Sequence, residues 1–186
     1  IKVTIAAQAC LLLLNRKTDY YPKLRTILIY PRAFTKRQNT MHANGIEESQ
    51  QLAMAGESWS YGKVVLSWQD AIEGARDVKD GHNVVIHEFA HQLDQEDGHA
   101  NGAPILGKDQ NYETWSQVLS QGFEKLQREA HYHSPSIFDY YGATNPAEFF
   151  AVASEVFFEK SEDLYKEEPK LYKQLSIFYR VDPVAW

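Results

Sequence analysis

The chain has 186 residues, a formal net charge of −6, 44% hydrophobic and 13% aromatic side chains, and a single cysteine. That length suits one domain with a sizeable core, so a single domain over 1–186 is expected. The composition excludes a disordered chain, and the acidic balance with no dense basic run speaks against direct nucleic-acid binding. Cys10 alone excludes an intrachain disulfide and a cysteine-built metal site.

The apolar run Ala9-Cys10-Leu11-Leu12-Leu13-Leu14 predicts a buried helix over residues 2–14, with Cys10 as an inert core residue. The run is too short to cross a bilayer and lacks a basic leader or cleavage site, so no membrane association is expected. A lone thiol without an export signal points to the cytoplasm. The chain opens on Ile1, from which a missing native N-terminal segment is expected.

Thr26-Ile27-Leu28-Ile29-Tyr30, rich in β-branched residues and closed by Pro31, predicts a strand. Residues 32–60 are polar, with Asn44-Gly45 as a turn signal, and are expected to form a long loop with little regular structure. Lys63–Trp68 predicts a second strand, which could take a substrate as an added strand along Val64–Trp68 or be an ordinary strand of the sheet. Trp59, Tyr61 and Trp68 are either cleft-lining or core aromatics. Helical patterns follow over about 82–95, 111–130, 146–159 and 169–179, the last with Pro169 in its first turn. A few strands upstream and mostly helices downstream predict an α+β domain.

The segment over 82–95 contains His87-Glu88-Phe89-Ala90-His91, an H-E-x-x-H sequence. Residues four apart lie one helical turn apart, so both imidazoles project from one face and can grip one metal ion. Glu88 points about 100° round the axis, beside the metal, where it can take a proton from water. The alternative is a set of polar positions on a half-buried helix. Asn83-Val84-Val85-Ile86 would bury that helix, and burying two histidines and an acid costs several kcal/mol unless something such as a divalent cation pairs with them. The pattern therefore points to a zinc-dependent peptidase acting on a peptide substrate.

A catalytic zinc needs three protein ligands and an open position. Asp94 has a direction better suited to supporting a ligand or capping the helix. His99, His131 and His133 sit in polar surroundings. Glu148, in Asn145-Pro146-Ala147-Glu148-Phe149-Phe150-Ala151, is the stronger candidate, although Asn145 as N-cap and Glu148 three residues on also make a capping box. Its spacing permits ligation and equally permits a cap.

His-Glu-Phe-Ala-His-Gln-Leu-Asp at 87–94 and Tyr-Gly-Ala-Thr-Asn-Pro-Ala-Glu-Phe-Phe-Ala at 141–151 resemble the Mlc titration factor A family of zinc peptidases. The likeness runs from Ala6-Ala7-Gln8-Ala9-Cys10 to Tyr179-Arg180-Val181-Asp182-Pro183. Those proteins are similar in their active site to the catalytic domain of anthrax lethal factor and group with the gluzincins. The resemblance implies a zincin-like domain with one zinc per chain, His87, His91 and Glu148 as ligands, and Glu88 as general base. It also implies Tyr141, in preference to the adjacent Tyr140, as the phenol facing the developing oxyanion. Aminopeptidase-type activity on short peptides is implied as well. Val152 stands where thermolysin-like gluzincins carry an acid, so support for a zinc histidine must come from Asp94 or Glu155. The family is named for sequestering a transcriptional repressor of glucose-uptake genes, which implies a repressor protein as a partner and, as the rival reading, a regulatory protein-binding domain with little catalysis.

Overall fold

The computed structural model describes residues 1–17, 19–41, 47–59 and 62–186, with the backbone alone at 35–41, 47–54 and 58–59. Helix α1 (Lys2–Leu11) leads to strand β1 (Thr26–Tyr30), then to β2 (Phe34–Met41), β3 (Glu47–Met54), β4 (Gly56–Trp59) and β5 (Lys63–Ser67). Helices α2 (Trp68–Arg76), α3 (Val84–Asp94), α4 (Tyr112–Tyr132), α5 (Pro146–Glu159), α6 (Ser161–Glu167) and α7 (Pro169–Tyr179) follow. Among the described residues every strand precedes α3, the α+β order that the sequence predicts.

Strand β5 lies in the middle of a three-stranded sheet. It pairs in parallel with β1, Thr26 opposite Lys63, and antiparallel with β4, Gly56 opposite Leu66. Val64, Val65, Leu66 and Ser67 are all buried, as a strand covered on both faces requires. An incoming peptide therefore has no edge to pair with along Val64–Trp68, because both edges of β5 are taken. Trp68 leaves the strand altogether: it opens α2, behind the N-cap Ser67, and packs against the core. The edge strand facing α3 is β4.

The expected loop over 32–60 is also replaced by strands. Strands β2 and β3 form an antiparallel ribbon, Phe34 opposite Met54 and Met41 opposite Glu47, before β4 joins the sheet. Main-chain pairing defines this ribbon, and Phe34-Thr-Lys-Arg-Gln-Asn-Thr-Met41 lacks the apolar alternation that would announce it. The Asn44-Gly45 turn and Tyr61 fall outside the described residues, as does the side chain of Trp59.

Helix α5 sits at the centre. It is apolar nearly all round, and ten of its residues from Ala147 to Phe157 are buried, the pattern of a helix with neighbours on every side. Asn145 caps it and Pro146 occupies its first turn, where a missing N–H is harmless. Helices α3, α4 and α7 pack on it, and their buried side chains, Phe89, Leu93, Trp115, Leu126, Phe178 and Tyr179 among them, join one cluster with Phe150 and Phe157. Helix α1 and the turn that follows it add only a stripe, Ile5, Gln8 and Ala9 from the helix and Leu12 and Leu13 from the turn. Cys10 falls off that stripe and is exposed, not in the core. In a run of Ala and Leu several helical phases look equally apolar, so composition alone does not choose the buried face. No described helix is long and apolar enough to cross a membrane.

Candidate metal centre

The site begins at Asn83. Its side-chain oxygen accepts the N–H groups of Val85 and Ile86 at 3.1 Å, capping α3. Its amide group donates to Gln8 Oε1 at 2.8 Å and to Glu159 Oε1 at 2.9 Å, and its own N–H donates to Glu155 Oε2 at 2.5 Å. Parts of α1, α3 and α5 thus meet at one residue. With the cap fixed, Val85, Ile86, Phe89, Ala90 and Leu93 face the core, and His87, Glu88 and His91 line a cleft.

The two imidazoles stand 4.9 Å apart, centroid to centroid. Packing of α5 against α3 brings Glu148, in the first turn of α5, onto them. Its Oε2 lies 3.0 Å from His87 Nε2 and 3.2 Å from His91 Nε2, and the atoms that these three residues could offer a metal ion fall within 4.8 Å of one another. Asn145 Oδ1 accepts the Glu148 N–H at 3.0 Å, so the N-cap is present while the Glu148 carboxylate is turned to the histidines.

Glu155 lies two turns further along α5, and its Oε1 is 2.7 Å from His87 Nδ1. With Nδ1 donating to Glu155, His87 Nε2 presents a lone pair towards an oxygen that also accepts. Two acceptors so close need a proton or a metal ion between them. The donor set, two imidazoles and a carboxylate, fits a divalent transition metal such as zinc. Without the ion a proton takes that place. Burial opposes charge on His87, but the carboxylates of Glu155 and Glu148 outweigh it and hold its pKa well above the usual histidine range. Burial likewise works against the charge on Glu148, and its bonds to both histidines overcome this and hold it far below the usual carboxylate range.

Glu88 is 5% exposed, and its Oε2 has no hydrogen-bond partner. Burial first, then the Glu148 and Glu155 charges, push its pKa to about 8 against the pull of His87. Strand β4 passes directly over it. A Cβ on Gly56 would fall 2.5 Å from Glu88 Oε1, so a side chain there would displace the Glu88 carboxylate from its present position.

Tyr141 lies in a short 3₁₀ turn, Tyr140–Ala143, anchored by its own N–H donating to Asp139 Oδ1 at 2.6 Å. Its ring is 6.0 Å from that of His87, and it lines the cleft. Burial, helped by the Glu148 and Glu88 charges, raises its pKa to about 12, so the hydroxyl stays a donor at neutral pH. Tyr140 is occupied elsewhere: its hydroxyl donates to the Ser134 carbonyl.

The remaining candidates lie apart from this group. Asp94 is fully buried and accepts the Gly102 N–H at 2.9 Å, while Trp115 donates to the Gly102 carbonyl at 2.9 Å, so Asp94 ties down the loop after α3. His99, His131 and His133 are exposed. Of the two acids that could support a histidine, Glu155 is the one in contact. The spacing of seven carries its signal, since Glu148 and Glu155 share a helix face. Asn83 and Gly56 carry no such signal, because a cap hub and a close strand approach depend on partners distant in sequence.

A family model described as glucose-regulated metallo-peptidase M90 matches residues 1–180. An uncharacterized protein of Synechocystis sp. is 42% identical over 185 residues, 99% of this chain and 67% of that protein. A protein of Yersinia enterocolitica named Mlc titration factor A is 38% identical over 162 residues, 86% of this chain and 60% of its own length. Its namesake from Yersinia pestis is 38% identical over the same length and is covered to 59%. The chain thus spans about three fifths of the Yersinia proteins.

Proposed function

The chain belongs to the glucose-regulated metallo-peptidase M90 family, and we propose that it is a zinc-dependent peptidase of the gluzincin type with a zincin-like domain, one zinc per chain, cleaving short peptides as an aminopeptidase. The convergence of His87, His91 and Glu148 on one point, with Glu88 beside them, carries the reading. Zinc held by these three residues supplies a Lewis acid that polarises the scissile carbonyl and acidifies water.

The protein's own groups do the rest. Glu155, fixed by the Asn83 N–H, holds His87 Nδ1 and so keeps Nε2 as the ligating nitrogen. The Glu88 carboxylate takes the proton of the attacking water and passes it to the departing amine. Its burial under Gly56 keeps bulk water from competing for that proton. The Tyr141 hydroxyl donates to the oxygen on which negative charge develops. An extended peptide pairs with β4, the edge strand, which places it across Glu88.

A peptidase assay on the zinc-loaded protein tests this reading. Turnover of short peptides, lost on chelation, restored by zinc and absent in Glu88→Gln, is the expected result. Activity that survives both the chelator and Glu88→Gln overturns it. The relatives named Mlc titration factor A favour a second role, binding of a transcriptional repressor protein. Co-elution of this protein with such a repressor, undiminished in Glu88→Gln, would separate that role from hydrolysis.

A further inference from the structure

The metal group is shared between two helices. His87 and His91 come from α3 and Glu148 from α5, so their convergence depends on how these helices lie against each other. Contacts run in opposite senses along the pair: His87 meets Glu155, and His91, one turn on, meets Glu148, two turns back. The helices are therefore antiparallel, and the group lies between a junction at each end.

At one end the junction is direct. Asn83, the cap of α3, donates its N–H to Glu155 Oε2 at 2.5 Å and its side-chain amide to Glu159 Oε1 at 2.9 Å, both late in α5. At the other end the helices meet through a third residue. Asp94, the last residue of α3, accepts the Gly102 N–H at 2.9 Å through Oδ2, and Trp115 of α4 donates to the Gly102 carbonyl at 2.9 Å. Gly102 adopts a φ of +75°, and a Cβ on it would fall 2.5 Å from the Pro146 carbonyl oxygen. Pro146 opens α5, two residues before Glu148. Asp94, Gly102 and Trp115 are all buried. Packing alone does not explain an acid at 94, because a buried carboxylate costs stability that an apolar side chain does not.

We propose that Asp94 is a positioning residue of the metal centre, acting through Gly102 and Pro146 to hold Glu148 in reach of His87 and His91. The inference rests on the metallo-peptidase reading and deepens it, since Asp94 touches neither metal nor substrate. Ligation holds only within about 0.2 Å of ideal metal–ligand distances. Once Gly102 is released, the Asn83 end stays joined while the first turn of α5 can move off, and Glu148 parts from His91 first.

The test compares the parent protein with Asp94→Ala, Asp94→Asn and Gly102→Ala. Asp94→Ala removes the acceptor for the Gly102 N–H. Gly102→Ala disturbs the same junction from its other side, by pushing a Cβ against the Pro146 carbonyl. Asp94→Asn keeps an acceptor oxygen. Zinc affinity is measured by competition with a chromogenic chelator, and the cobalt-loaded proteins are compared by visible absorption, which weakens when water replaces a protein ligand. Zinc affinity should fall about tenfold in Asp94→Ala and in Gly102→Ala, both with a weakened cobalt spectrum, and should stay within about twofold of the parent in Asp94→Asn. Melting curves verify folding, and where Asp94→Ala does not fold, Gly102→Ala decides. A lowered melting temperature with zinc affinity and cobalt spectrum unchanged makes Asp94 a loop brace only and overturns the inference, while leaving the peptidase reading intact. A parent protein that binds neither zinc nor cobalt contradicts that reading and takes the inference with it.

Discussion

The floor of the cleft and its wall are built on different principles. On the floor, made by α3 and α5, the histidines and the carboxylates beside them have fixed partners: His87 has Glu155, Glu155 has Asn83, and Glu148 lies against both histidines. On the wall, made by β4, α2 and the segment before α3, the acids are partly exposed and belong to separate elements. Chemistry that depends on tenths of an ångström needs the first arrangement. The field of a group of acids extends over several ångströms and tolerates the second. Substitutions on the floor should therefore change turnover or metal affinity by orders of magnitude, and single substitutions on the wall should change them far less.

The largest effect is expected at Glu88. Glu88→Gln keeps the shape under Gly56 but removes the proton acceptor, so it should bind zinc normally and lose nearly all turnover in a steady-state assay. Tyr141→Phe removes one donor to the oxyanion and should lower kcat roughly 10²–10³-fold with little change in KM. A raised KM at constant kcat would instead make the phenol a group that positions substrate. Glu155→Gln exchanges the carboxylate behind His87 for an amide. Zinc titration should show affinity weakened about 10–100-fold, whereas an unchanged affinity would reduce Glu155 to a brace for Asn83.

These positions differ in how legible they are from sequence. His87, Glu88 and His91 announce themselves because helical periodicity fixes their relative directions within five residues. Glu148 stands out because a cap pattern on an apolar helix limits where its carboxylate can be. The wall is harder to read. Strand β5 is visible as an apolar run, but that both its edges are taken depends on β1 and β4, neither of which leaves a mark in its residues. The polar ribbon of β2 and β3 escapes a reading by pattern for the related reason that its order lies in main-chain pairing. Helix α2, with only Ala71 and Gly74 buried, offers almost no apolar stripe to read. Cys10 lies on the outer side against expectation because its helix is apolar in too many directions. Periodicity reads what a segment does by itself, and pairing has to be seen.

Two smaller effects sharpen the contrast from the stability side. Asn83→Ala removes the cap of α3 and should cost about 1–2 kcal/mol from the cap alone, measured by denaturant unfolding, with weakened zinc binding because Glu155 and the helix lose their common anchor. Glu159, whose oxygen accepts from Asn83 Nδ2, has its pKa pushed up from 4.5 to about 7, first by burial and then by Asp80 and Glu155. Its folded state holds the proton more tightly than the unfolded chain does. Stability should therefore fall as pH rises between 4.5 and about 7. Glu159→Gln keeps the acceptor and removes the titration, so its melting temperature should gain on the parent protein across that window and hold a constant lead above it. A lead that does not change with pH would show that Glu159 titrates as an ordinary surface acid.

The most direct test of the metal centre is zinc titration by calorimetry on the metal-stripped protein, with Glu148→Gln and Glu88→Gln in parallel. One tight site per chain is expected, much weakened in Glu148→Gln and unchanged in Glu88→Gln. Zinc bound equally well by all three proteins would leave Glu148 as a helix cap alone and contradict the assignment.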